Sequence, residues 1–198
     1  TLPEELQQRI QTVVQEREEL DKTIWKEETA AQQVEAVFTD LWDELRRAKD
    51  KFAPLAEFEF SSLILPEQQS KRTLEWDIID RQLKLNADTK PLNPAEWKVW
   101  LAARKAEGWE LIESEWHQEK FAFKKGSDSA ADSLFKFTLH VQHETRRVIL
   151  RGELKVEWPN LQDEQSLRVG ALAVDSIRAL ERTGAAPFVP KLKIASSN

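Results

Sequence analysis

The sequence predicts an α+β protein. A long, coiled-coil-like N-terminal helix leads into a two-layer domain, in which two helices cover one face of a mainly antiparallel sheet. Three observations carry this. An apolar repeat averaging 3.5 residues runs through the first quarter of the chain, two later segments alternate polar and apolar residues, and a stretch between them has a full set of helix start and stop signals.

Stepping from Leu6 by four and three residues in turn, the repeat passes Ile10, Val13, Arg17, Leu20, Ile24, Glu27, Ala31, Val34 and Phe38 and continues to Leu55. Thirteen of its 15 positions are apolar, where a chain that is 40% apolar supplies about six. A 3.5-residue period kept over so many turns is the pattern of a helix lying along another helix. No Gly or Pro falls between Pro3 and Pro54, so one helix of about 50 residues and roughly 75 Å is expected, ended by Pro54. The cations of "RRAKDK" (46–51) suit the negative end of its dipole.

The two polar positions of the seam discriminate among partners. A parallel pair would set Arg17 against Arg17 and Glu27 against Glu27. Two copies running antiparallel about residue 22 instead set Arg17 against Glu27, Leu20 against Ile24, Val13 against Ala31, Ile10 against Val34 and Leu6 against Phe38. An intrachain hairpin near Lys22 would make similar pairs, but "ELDKTIWKEE" has no turn residue besides Asp21. A long amphipathic helix packed on its own domain is the remaining alternative. The expectation is an antiparallel homodimer. Beyond Val34 the apolar face widens through Val37 and Trp42, so the second half of the helix should pack on the following domain or a partner while the first half projects.

Residues 1–56 therefore form a helical unit, 57–72 a linker and 73–198 an α+β domain. In that domain "TLEWDIIDRQLKL" (73–85) changes parity near Ile78, which fits a strand with a bulge. "NPAEWKVWLAARKAEG" (93–108) has Asn93 to cap a helix, Pro94 at its first position, Glu96 to complete a capping box and Gly108 to end it. A strand follows from Trp109, irregular between Glu113 and Glu119. Then 135–141 and 148–158 alternate and are joined by "HETR", an antiparallel hairpin with one wet face in which Gly152 leaves an inward gap. "DEQSLRVGALAVDSIRALERTG" (163–184) aligns Leu167, Ala171, Val174 and Ile177 as a helix, and "FVPKLKI" is a possible last edge strand. The resulting order is β-α-β-β-β-α.

Composition bounds the chemistry. Without cysteine there are no disulfides, thiolate nucleophiles or Cys metal ligands. A formal charge of −6 argues against binding nucleic acid through phosphate neutralisation, and the acidity is local, since residues 1–60 hold 15 acidic against 8 basic side chains. No apolar run is long enough to span a membrane. A Met-free chain opening at Thr1 is compatible with a removed leader or anchor, so the compartment stays open, with the cytoplasm favoured.

His140 and His143 fall on opposite strand parities and His117 is distant, which gives no metal set. No G-x-S-x-G elbow or phosphate-cradling glycine motif occurs. The sequence thus predicts no enzyme, no cofactor and no catalytic residue. Most of the eight tryptophans read as core, with Trp116 beside His117 the one expected at the surface. Together with Lys136, His140, Arg147 and Arg151 these two form a possible contact surface on the wet sheet face. The function expected is a non-catalytic scaffold that oligomerises through its helix and presents the α+β head to protein partners. The alternative is a module binding a peptide, lipid-like ligand or single-stranded nucleic acid on the sheet face or in a pocket beneath the C-terminal helix.

Overall fold

The structure is a computed structural model that describes residues 3–86, 88–162 and 167–184. It is α+β, a long N-terminal helix followed by a mostly antiparallel seven-stranded sheet with short helices. Helix α1 (Glu4–Arg47) runs for 44 residues. It stops before Pro54 because Ala48 turns extended and Lys51 Nζ donates to the carbonyl of Leu45 at 2.6 Å, taking over one of the last unpaired acceptors. Pro54 instead lies in the first turn of a short second helix, α2 (Phe52–Glu57), where the missing N–H costs nothing.

The sheet is built from β1 (Ser62–Ile64), β2 (Glu67–Thr73), β3 (Ile79–Lys84), β4 (Glu110–Phe123), β5 (Ala131–His143), β6 (Arg146–Trp158) and β7 (Ala171–Thr183). Its order is β2-β3-β7-β6-β5-β4, with β1 pairing parallel to β7. The stretch read as a linker, 57–72, therefore holds β1 and most of β2. The strand with a bulge expected over 73–85 is a hairpin: Thr73 ends β2, and Trp76 and Asp77 reverse the chain at φ 61° and 56°, leaving Trp76 82% exposed.

The helix expected over 163–184 is corrected to strand β7, with residues 163–166 outside the described set. The reason is a bulge. Glu153 of β6 pairs with Ser176 and Leu154 with Val174, so Asp175 is an extra residue that shifts the parity. The inward set becomes Leu172, Val174, Ile177 and Ala179, whose spacing of two and three imitates helical periodicity. Pairing with β1, β3 and β6 overrides the helix propensity of the alanines. The possible edge strand "FVPKLKI" lies outside the described residues.

The helix at 94–106 forms as its signals predict. In α3 (Pro94–Ala106), Asn93 Oδ1 accepts from Glu96 N–H at 2.9 Å and Glu96 Oε2 accepts from Asn93 N–H at 2.8 Å. At the other end Gly108, at φ +90°, donates to Lys105 O and Trp109 donates to Arg104 O, a Schellman closure. The β5–β6 hairpin also forms, and the irregularity expected in β4 resolves into bulges at Ile112 and Glu119. The inner face of the sheet is covered by the second half of α1 together with α2 and α3, where two helices were expected.

Under α1 the core is solid. Val34 is 0% and Phe38 2% exposed, the Phe38 and Phe135 rings meet at a tilt with centroids 4.1 Å apart, and Trp158 donates its indole N–H to Ser133 Oγ at 2.7 Å. Contact with the head begins at Lys26, which pairs with Asp128 at 3.4 Å and lies over the Phe123 ring. From Gln7 to Thr29 the helix is exposed throughout.

Candidate functional site, an apolar cavity in the head

Because α1 ends at Arg47, it roofs only one end of the sheet. The other end is covered by α3, which polar ties bind to α2 and the segment before it. Trp97 Nε1 donates to Leu55 O at 2.9 Å, Lys98 pairs with Glu57 at 3.3 Å, and Lys105 pairs with Asp50, whose carboxyl this hydrogen bond holds below its ordinary value. Leu63 and Leu92 add a two-bond bridge at 2.8 and 2.7 Å. Between α3 and the strands lies a cavity of about 380 Å³.

Its walls are hydrocarbon. Twenty-three of the 24 lining residues are apolar or aromatic, and the remaining one is Arg104. The floor is an aromatic step from the solid core, where Trp116 meets Phe38 at 5.7 Å and Phe137 at 5.5 Å. Cζ and Cε1 of Phe137 lie over Gly152, the residue opposite it across the hairpin, so the inward gap anticipated at that glycine is filled by a ring. Trp97 and Trp100 stack at 5.2 Å along the α3 side. Two lining donors are buried without a partner, the Trp116 Nε1–H and the Arg104 Nε–H. The outer nitrogen of Arg104 is engaged, with Nη2 donating to Glu107 at 2.7 Å and the guanidinium carbon 5.4 Å over the Trp100 ring.

The wet face of the sheet carries a second, more open depression of about 450 Å³, bordered by Lys136, Arg151 and Arg178. Two of these cations, Arg178 and Lys136, are paired within the protein. Asp80, only 1% exposed, accepts from Arg178 at 3.0 and 3.1 Å and from Arg72 at 2.8 Å, and these hydrogen bonds, Arg178 first, hold its carboxyl below the usual range. Lys136 pairs with Glu119 at 2.9 Å.

The sequence-derived contact residues divide between the two faces. Trp116 is not at the surface. The bulges of β4 reset its parity and turn it into the cavity floor. His117 is exposed and meets the Trp42 ring edge-on at 6.0 Å. His140 is half-buried on the wet face with exposed Arg151, and Arg147 reaches Gly184 O at 3.5 Å. His143 faces the other way, 5.1 Å from Trp109, as its parity requires. Of the seam residues, Ile10, Val13, Arg17, Leu20, Ile24 and Glu27 are exposed and Ala31 is half-buried. Val34 and Phe38 are buried in the chain's own core, so they offer nothing to a second helix, and the side chain of Leu6 lies outside the described residues.

The helix beneath which a pocket was expected is strand β7, and the cavity lies instead beneath α3; the residue that sequence reasoning missed is Arg104. It had a signal. Trp97, Leu101 and Arg104 recur at helical spacing, which places one cation in line with the apolar stripe of α3. Among the described residues, no group of three His, Asp or Glu is placed to hold a metal, and no helix is long and apolar enough to cross a membrane. No protein-family model matches the chain, and no curated protein matches it significantly.

Proposed function

We propose that the head binds a small, predominantly apolar molecule in the cavity between α3 and the sheet, and that it does so without chemistry. The observation that carries this is the size of the cavity together with the hydrocarbon character of its walls. A sealed void of 380 Å³ would cost about 9 kcal/mol at roughly 24 cal/mol per Å³, most of the 5–15 kcal/mol that typically holds a domain together. A space of this kind is kept open to solvent or to an occupant, and the walls favour an apolar occupant. Its lining has no carboxylate, imidazole, hydroxyl or amine to act as base or nucleophile, which supports binding over catalysis.

Titration with N-phenyl-1-naphthylamine tests the proposal. The dye should brighten saturably near one equivalent and quench tryptophan emission, because Trp97, Trp100, Trp109 and Trp116 all line the cavity. Leu139→Arg, which sets a charge in the wall, should abolish the response. Absence of saturable binding to the unaltered protein would overturn the proposal.

A second reading has separate support in the bare half of α1, where Ile10, Val13, Leu20 and Ile24 are 45–62% exposed. Two copies would pair antiparallel about residue 22. With Val34 and Phe38 committed to the head, the seam contracts to Val13 against Ala31, Arg17 against Glu27 and Leu20 against Ile24. On this reading the rod joins two heads in a scaffold whose further protein partners are unidentified. Sedimentation equilibrium at tens of micromolar should give a dimer, and Leu20→Glu with Ile24→Glu a monomer. A monomer in the unaltered protein would end this reading.

A further inference from the structure

We infer a second ligand site on the opposite face of the sheet, where the depression bordered by Lys136, Arg151 and Arg178 takes a small molecule carrying two or more phosphates. Strand register builds this site. Across β5, β6, β7 and β3, one row sets Lys136, Glu153, Ser176 and Lys84 side by side. Two residues along, a second row sets Thr138 beside Arg151, Arg178 and Gln82. The row between, from Phe137 through Gly152 and Ile177 to Leu83, faces the other way, so its backbone forms the floor. With strands about 4.8 Å apart and alternate residues about 6.7 Å apart, the grid measures roughly 14 by 7 Å. Its cations are too widely spread for a single phosphate to reach them all.

Among the described residues, four cations and one carboxylate, Glu153, border the depression, in a chain whose formal charge is −6. Arg151 lies directly opposite Arg178, a placement that is destabilising unless an anion lies between them. Among the described residues, the exposed side chains of Arg151 and Lys84 have no hydrogen-bond or ion-pair partner. Arg178 is oriented. Asp80 holds its Nε and Nη2 at 3.0 and 3.1 Å, which leaves both N–H groups of Nη1 for a ligand. Asp80 also serves Arg72, so one carboxylate is shared by two guanidiniums. Lys136 pairs with Glu119 at 2.9 Å in an exposed contact of the kind that contributes little and exchanges easily. Thr138 and Ser176 add hydroxyl donors to the border. A lone carboxylate is met by one planar fork, whereas these donors come from four strands. Such an arrangement suits tetrahedral phosphates, each bringing three oxygens and a charge of about −1.5 to −2.

Equilibrium dialysis of the full chain against radiolabelled pyrophosphate at low salt, competed by inorganic phosphate or citrate, tests the inference. Pyrophosphate should bind saturably near one equivalent, about ten- to a hundredfold more tightly than either competitor, the range of one further charge-assisted hydrogen bond. Arg151→Gln should weaken it by a similar factor. Glu153→Gln, which removes the carboxylate from the border, should tighten it. Lys155→Gln takes a cation from the same strand and face outside the depression, where it pairs with Asp175 at 3.0 Å, and should leave binding within about twofold, the small effect of an exposed charge beyond contact. Absence of saturable binding, citrate competing as well as unlabelled pyrophosphate, or equal losses in Arg151→Gln and Lys155→Gln would overturn the assignment. None of these results bears on the apolar cavity, which lies on the other face and is read by the dye.

Discussion

Replacing Gly152 by alanine probes the join between the solid core and the cavity. A methyl group there would lie 2.5 Å from Phe137 Cζ and 2.6 Å from the backbone oxygen of Ser176. The ring can swing aside, because the cavity is beside it, but Ser176 O belongs to β7 in the middle of the sheet and can yield only if the strand moves. Overpacking of this kind costs about 1–3 kcal/mol, and loss of glycine's backbone freedom within a strand returns about 0.5–1 kcal/mol. A net destabilisation of about 1–2 kcal/mol follows, which for a chain of this size lowers Tm by about 2–8 °C. Urea unfolding followed by tryptophan fluorescence should show the midpoint falling with the slope unchanged. Dye binding should weaken as well, since the displaced ring enters the cavity. Pairing the change with Phe137→Leu should recover the part due to the ring and leave the part due to Ser176. A Gly152→Ala protein as stable as the parent would show that β6 and β7 are not packed as described.

Three further expectations concern stability. Ser133→Ala removes the acceptor of the buried Trp158 indole N–H and should cost about 1–3 kcal/mol in urea unfolding; no change would mean that the indole is otherwise satisfied. Asn93→Ala removes one arm of the capping box on α3 and should cost about 1 kcal/mol, with accelerated amide exchange confined to the first turn of that helix as the local signature. Asp80 has a folded pKa below its ordinary 3.8, so its stabilising contribution is complete above the unfolded value and is lost as pH falls through the folded one. Thermal scans from pH 6 to 2 should therefore show a steeper acid loss in the parent than in Asp80→Asn, and parallel curves would refute the assignment.

The legible parts of the fold were those whose signals are local. Asn93, Pro94, Glu96 and Gly108 each act within one turn of α3, and the alternation over 135–158 survives because β5 and β6 pair without a shift. Strand β7 was hidden by one extra residue, Asp175, which rephases a two-residue period into something helical. The tight reversal at Trp76 was hidden because two non-glycine residues adopt a backbone that their identities do not advertise. The division of α1 was partly legible, since the widening stripe beyond Val34 marked the half that the head takes up. A cavity has no sequence signature of its own. It depends on where α1 stops and how far α3 stands from the strands, both fixed by long-range ties such as Trp97 to Leu55. The lone Arg104 in an apolar stripe was its nearest trace.

The position of β7 also governs the order in which the protein can assemble. It is the last strand described, yet β1, β3 and β6 all pair with it, and Arg81 finds Glu181 a hundred residues downstream. The β2–β3 ribbon therefore has no seat in the sheet while the chain is still emerging from the ribosome. Closing so wide a loop is slow. During synthesis the backbone hydrogen-bonding edges of β3 and β6 that face β7 stay unpaired until residue 183 has emerged.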